Sequence, residues 1–183
     1  MLRAALLALF AFALCAPASA QGPDLTRFKA FADNLVGEWS VAIRETDPDG
    51  KVVWSDTQRR IFEYRIASEF LEERTYVVSK RTGKDIDVSL HIYGYDAKTN
   101  TLSMHGYWVG RPGQLFAVMT TLDDANRFAR GAMDIVLEDG SASNQRYEMG
   151  WQEDGGFVHR AFRKTPEGRE YLGEELVYTR AAS

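Results

Sequence analysis

The sequence predicts an all-β fold: a closed antiparallel up-and-down barrel of about ten strands, preceded by a short capping helix. Three observations lead there. The hydrophobic period changes from helical to two at Leu35-Val36-Gly37-Glu38-Trp39. Turn residues then recur about every ten positions to Arg180, the spacing of a sandwich or barrel. A meander of that length leaves two exposed edges unless it closes on itself. A two-sheet sandwich is the competing architecture for the same pattern.

The first twenty residues read as an address rather than as fold. Arg3 supplies a positive start, and Ala4 through Ala16 form an apolar run too short to span a bilayer. Ala18-Ser19-Ala20 supplies the small residues that a signal peptidase reads, so cleavage is expected after Ala20. Residues 21–183 then form a single domain. Cys15 is the only cysteine and lies inside the leader, after Leu14. Leu14 is a poor neighbour for lipid attachment, so simple export to the periplasm or medium is favoured over a lipoprotein. With no thiol left, the exported chain must rest on its core. About 160 residues should bury roughly 68–70% of the surface of the unfolded chain.

The formal charge of −4 becomes −5 when Arg3 leaves with the leader. Charges of both signs alternate along the chain, and no clustered basic face suggests nucleic acid. No second apolar run is long enough for a membrane-spanning helix.

Asp24 opens a helical pattern, where its carboxylate can accept from first-turn amides. Leu25, Phe28, Phe31, Ala32, Leu35 and Val36 recur at helical spacing and should cap one end of the strand region. Gly37 is expected to stop the helix. Strands are expected at 38–46, 51–64, 69–79, 86–95, 101–109, 114–121, 126–137, 143–152, 157–164 and 170–180. Turns separate them at Asp47-Pro48-Asp49-Gly50, Lys80-Arg81-Thr82-Gly83, Asp96-Ala97-Lys98-Thr99-Asn100, Arg111-Pro112-Gly113-Gln114, Asp123-Asp124-Ala125-Asn126, Glu138-Asp139-Gly140, Asp154-Gly155-Gly156 and Thr165-Pro166-Glu167-Gly168.

Alternation assigns the faces, with the apolar set placed inward. Ile86, Val88, Leu90, Ile92 and Gly94 are expected inside, with Ser89, His91 and Tyr93 outside. Leu102, Met104, Gly106 and Trp108 are expected inside, as are Gln145, Tyr147, Met149 and Trp151. Strand 157–164 is ambiguous: Phe157, His159 and Ala161 oppose Val158, Arg160 and Phe162. A slip of one residue would exchange any of these sets.

The capping helix, Gly37-Glu38-Trp39, Tyr93-Gly94-Tyr95-Asp96 with its Thr/Asn turn, and the terminal Tyr178-Thr179-Arg180 together resemble the calycin superfamily of lipocalins and fatty-acid-binding proteins. Within it the chain looks most like an uncharacterised family of bacterial lipocalin-like secreted proteins. The resemblance runs from about Leu25 to Arg180. It implies that Trp39 lies at the closed end of the barrel under Arg180, with Gly37, Trp39 and Arg180 serving closure. It also implies small-molecule binding as a common use of the fold, without naming a ligand. The count of ten strands leans toward the ten-stranded relatives, some of which hold haem through a histidine.

Candidate ligand-binding residues are Met104, Trp108, Met149, Trp151 and His159, which together would line a cavity for a small hydrophobic or amphipathic molecule. The same residues could equally fill a packed barrel. His91 and His105 fall on the polar face and read as solvated imidazoles; His159, if inward, could orient a polar ligand group or ligate haem. No catalytic residue is assigned, no metal site is expected, and no cofactor is required. Glu72 and Glu174 are the carboxylates to watch if the barrel is instead an isomerase, cyclase or lyase for a lipid-like substrate.

Overall fold

The computed structural model describes residues 24–109, 115–136, 140 and 142–181. The leader 1–20, the Arg111-Pro112-Gly113-Gln114 turn and most of the Glu138-Asp139-Gly140 turn lie outside the described residues.

One helix, α1 (Thr26–Ala32), precedes ten strands: β1 (Gly37–Thr46), β2 (Val52–Arg65), β3 (Phe70–Val78), β4 (Asp85–Asp96), β5 (Thr101–Trp108), β6 (Leu115–Leu122), β7 (Phe128–Val136), β8 (Ala142–Trp151), β9 (Phe157–Lys164) and β10 (Glu170–Arg180). Each strand pairs antiparallel with its neighbours in sequence, and β1 pairs with β10, closing the barrel. The architecture is compatible with a calycin-like fold.

The helix starts as expected, with Asp24 Oδ1 accepting from the Thr26 amide at 3.0 Å. It stops at Ala32, earlier than the apolar spacing suggests. Leu35 N donates to Ala32 O at 2.8 Å in a tight turn, and the carbonyls beyond it are held by tertiary donors. Trp39 Nε1 donates to Leu35 O at 2.7 Å, and Arg180 Nη1 donates to Val36 O at 2.7 Å. Arg180 Nη2 also donates to Asn34 O. Gly37 therefore opens β1 rather than ending α1, and its φ of +120° requires glycine. A Cβ there would lie 2.7 Å from Arg180 Nη1.

The apolar stripe of α1 plugs one end of the barrel. Phe28 stacks on Tyr95 at 5.9 Å, Phe31 meets Phe157 edge-on at 5.8 Å, and Trp151 Nε1 donates to Phe31 O at 3.1 Å. Arg27 ties the helix to the β6–β7 turn through Asn126 Oδ1 and Asp123 O. Beneath the helix lies an aromatic layer of Trp39, Phe62, Phe157 and Tyr178. The hairpins joining β1 to β2, β3 to β4 and β9 to β10 lie at the opposite, open end.

The faces of β5 and β8 follow the apolar pattern: Leu102, Met104 and Gly106 point inward, as do Gln145, Tyr147 and Met149. Strand β9 resolves with Phe157, His159 and Ala161 inside. Strand β4 runs against its pattern. Ser89, His91 and Tyr93 are buried, Val88, Leu90 and Ile92 are only partly covered, and Ile86 is exposed. The reason is register. The turn closing on Asp96 and Thr101 sets Tyr93 opposite Met104 and His91 opposite Gly106. The apolar sets of β4 and β5 therefore cannot share a face. His91 is thus an interior side chain, not a solvated one, whereas His105 is exposed.

Candidate functional site

Above the aromatic layer the barrel is not filled. A cavity of about 480 Å³ occupies the interior toward the open end. Alternation places its lining: β1 offers Ile43 and Glu45, β2 offers Trp54, Gln58 and Arg60, and β3 offers Glu73. His91 and Tyr93 come from β4, Met104 and Trp108 from β5, and Met133 and Ile135 from β7. Gln145 and Tyr147 come from β8, His159 and Arg163 from β9, and Glu174 and Leu176 from β10. Apolar and polar groups thus alternate around the wall.

The floor is a buried polar network centred on Glu73. Arg60 Nη1 forms an ion pair with Glu73 Oε1, and neither side chain reaches solvent. The same Nη1 donates to the Tyr178 hydroxyl at 2.7 Å, and Tyr93 donates to Glu73 Oε2 at 2.5 Å. His91 Nδ1 lies 3.4 Å from Glu73 Oε2. Burial opposes the charge on Glu73, but the Arg60 guanidinium, followed by His91, holds its carboxyl well below the usual range. Burial likewise opposes the Arg60 charge, and Tyr178 and Glu73 more than restore it. Both partners therefore stay ionised inside the barrel, where only complete pairing makes such a pair tolerable.

His159 sits beside this network. Burial pushes its imidazole down to about 3, so it is neutral at physiological pH. Its Nδ1 lies 2.6 Å from the Tyr147 hydroxyl and 3.3 Å from that of Tyr178. Burial, then nearby Glu73, raises the Tyr147 hydroxyl well above the ordinary tyrosine range, so it keeps its proton. Donation from Tyr147 to Nδ1 leaves the ring proton on Nε2, which is buried with no partner among the described residues.

The upper wall carries a second charged group. Glu45 and Glu174 stand opposite each other on β1 and β10, with Arg163 Nη1 3.6 Å from Glu45 Oε2. Burial raises the Glu174 carboxyl, only partly offset by Arg163 and reinforced by Glu45. Trp54 and Trp108 stand at the mouth with Gln145. The result is a cavity with a mixed apolar and polar wall, hydroxyl and imidazole groups toward the floor, and titratable groups toward the mouth.

Of the residues singled out from sequence, Met104, Trp108 and His159 line this cavity. Met149 is fully buried in the core and does not line it. Trp151 lies at the closed end, 6.1 Å from Trp39, along a separate groove of about 390 Å³ beside Arg127 and Arg180. Arg180 covers the Trp39 indole at 4.3 Å, with Gly37 directly below its guanidinium. Glu174 faces the cavity, whereas Glu72 lies on the outer face between Arg65 and Arg74.

With Nδ1 held by Tyr147, the atom left to ligate haem iron is His159 Nε2, and it is buried. Among the described residues no group of three or more His, Cys, Asp or Glu side chains is placed to hold a metal ion.

Arg60 and Glu73 went unrecognised from sequence because both faces of β2 and β3 carry charge. For His91 and Tyr93 a usable signal existed: the Asp96–Thr101 turn fixes which residues of β4 and β5 face each other.

No protein-family model matches the chain, and no curated protein matches it. Among solved structures it is similar to a redesigned β-barrel, at 11% identity over 84% of this chain and 96% of that one, with a TM-score of 0.38.

Proposed function

We propose that this protein is an exported container that holds one small amphipathic molecule inside the barrel. The observation that carries the reading is the cavity of about 480 Å³, which falls within the roughly 300–1,000 Å³ of small-molecule sites. Its lining supports a mixed ligand. Ile43, Met104, Met133, Ile135 and Leu176 suit an apolar body, and Tyr147 and Gln145 suit a polar end. The two methionines allow the wall to adapt to shape. The leader-like first twenty residues support an address in the periplasm or outside the cell. The sequence resemblance to lipocalin-like secreted proteins agrees with both parts of the reading.

Native mass spectrometry of the protein purified from its own host tests the proposal. A bound small molecule is expected, and Met104→Trp, which fills the cavity, should abolish it without unfolding the barrel. Apo protein in every preparation, with no gain in melting temperature from host lipid extracts, would reject it.

A further inference from the structure

We propose that the open rim over β2–β5 docks on an anionic lipid surface. Most of the exposed large hydrophobic side chains among the described residues lie there, Ile66 at the closed end and Val177 on β10 being the exceptions. Val53 on β2 is 60% exposed, Val78 at the end of β3 66%, and Val109 just past β5 71%. Ile86 and Tyr107 fill the positions between. All stand where their strands meet the open end, on four consecutive strands of the barrel.

Cations are interleaved with them. Lys51 precedes Val53, and Lys80, Arg81 and Lys84 lie in the hairpin between Val78 and Ile86. All four are exposed, and among the described residues none forms an ion pair. The nearby acids are already engaged: Asp85 by Arg59, Asp87 by Arg74, and Asp49 by Arg169. Asp47 and Asp56 accept only from backbone amides and keep their charge, so the unpaired cations predominate in the β3–β4 hairpin. A chain of net charge −4 thus presents unpaired cations among apolar side chains at one end. Phosphate-bearing headgroups above a hydrocarbon layer are the partner complementary to both features.

The rim is also continuous with the cavity. Trp54 belongs to both, since it lines the cavity and remains 42% exposed. Docking on this rim would turn the cavity mouth toward the lipid, so an amphipathic molecule could pass between them without crossing water. That consequence rests on the container reading; the docking itself does not.

Flotation with vesicles tests the inference, using exported protein whose N-terminus has been read by mass spectrometry. Phosphatidylcholine vesicles containing phosphatidylglycerol should carry the protein, and phosphatidylcholine alone should not. High salt should release it. Lys80→Glu combined with Arg81→Glu and Lys84→Glu should lower the partition by at least about tenfold at an unchanged melting temperature. Val53→Ser with Val78→Ser should lower it without altering its salt dependence. Equal binding to both vesicle types, binding to neither, or wild-type partition by the charge-reversed variant overturns the proposal, even if the rim then captures another protein. Protein that floats but carries no small molecule keeps the docking surface and removes the container.

Discussion

Trp39 shows how much a single buried side chain can organise. Its indole ring lies beneath the Arg180 guanidinium, its Nε1 holds the Leu35 carbonyl, and its edge meets Tyr178. Replacing it with alanine removes the ring and leaves Arg180 over a void. Trp39→Ala should lower stability by about 3–5 kcal/mol in urea denaturation. An unchanged midpoint would show that the helix and strand pairing close this end without the indole. Glu73 makes a different case at the same scale. Glu73→Gln leaves the Arg60 charge buried without its counter-ion and should lower stability by about 3–5 kcal/mol. Glu73→Leu combined with Arg60→Met removes both charges together and should be closer to wild type. If the single and double variants melt alike, the pair does not act as a unit.

At the scale of elements, the β2–β3 connection is the strained segment of the barrel. Ile66, Ala67 and Ser68 adopt φ of +49°, +54° and +65° in succession, although none is glycine. The left-handed conformation costs an L-residue about 1–2 kcal/mol. Ala67→Gly relieves that at one position, against about 0.4–1 kcal/mol of added unfolded-state entropy. A net gain of about 1 kcal/mol is expected, read as a raised melting temperature. A lower one would show that the turn is not left-handed in solution. Helix α1 is likewise shaped by its surroundings. Its periodicity extends to Val36, yet the helix stops at Ala32 in a tight turn from Leu35 N to Ala32 O, and tertiary donors hold the carbonyls of Asn34, Leu35 and Val36. Strand β4 shows the same priority of context over pattern: turn register, not the apolar run, selected which face turned inward.

Across the whole molecule, acid should be the main vulnerability. His159 is held near 3 in the fold against an ordinary value of 6.5, so the unfolded chain binds the additional proton. Stability is therefore full above about pH 6.5 and falls as pH drops toward the folded value. Each pH unit within that window removes up to about 1.4 kcal/mol, which gives about 2–3 kcal/mol lost between pH 6.5 and 4.5. Glu73, also depressed in the fold, adds a further loss below its ordinary range. Glu174 is raised and acts in the opposite direction, favouring the fold at low pH and giving up that contribution as pH rises. Urea midpoints at pH 7 and 4.5 measure the sum, and His159→Gln should flatten the difference. A pH difference of the same size in wild type and in His159→Gln would show that His159 is not buried neutral.

The barrel itself was legible in the amino-acid sequence. A change of period at Gly37, turns at regular intervals and the need to pair two edges require nothing beyond local chemistry and chain length. Met104 and Trp108 were legible too, because the inward face of β5 is apolar, whereas the facing of His159, open in the pattern of its strand, was decided by the pairing of β9 with β8. The character of the interior, by contrast, emerged only from the folded barrel. The polar floor joins Arg60, Glu73, His91, Tyr93, Tyr147, His159 and Tyr178 from six strands, none of which alone shows an inward polar face. Each of these groups is unfavourable when buried singly and becomes tolerable only when its partners from other strands arrive. That mutual satisfaction belongs to the closed barrel, and no window of sequence contains it.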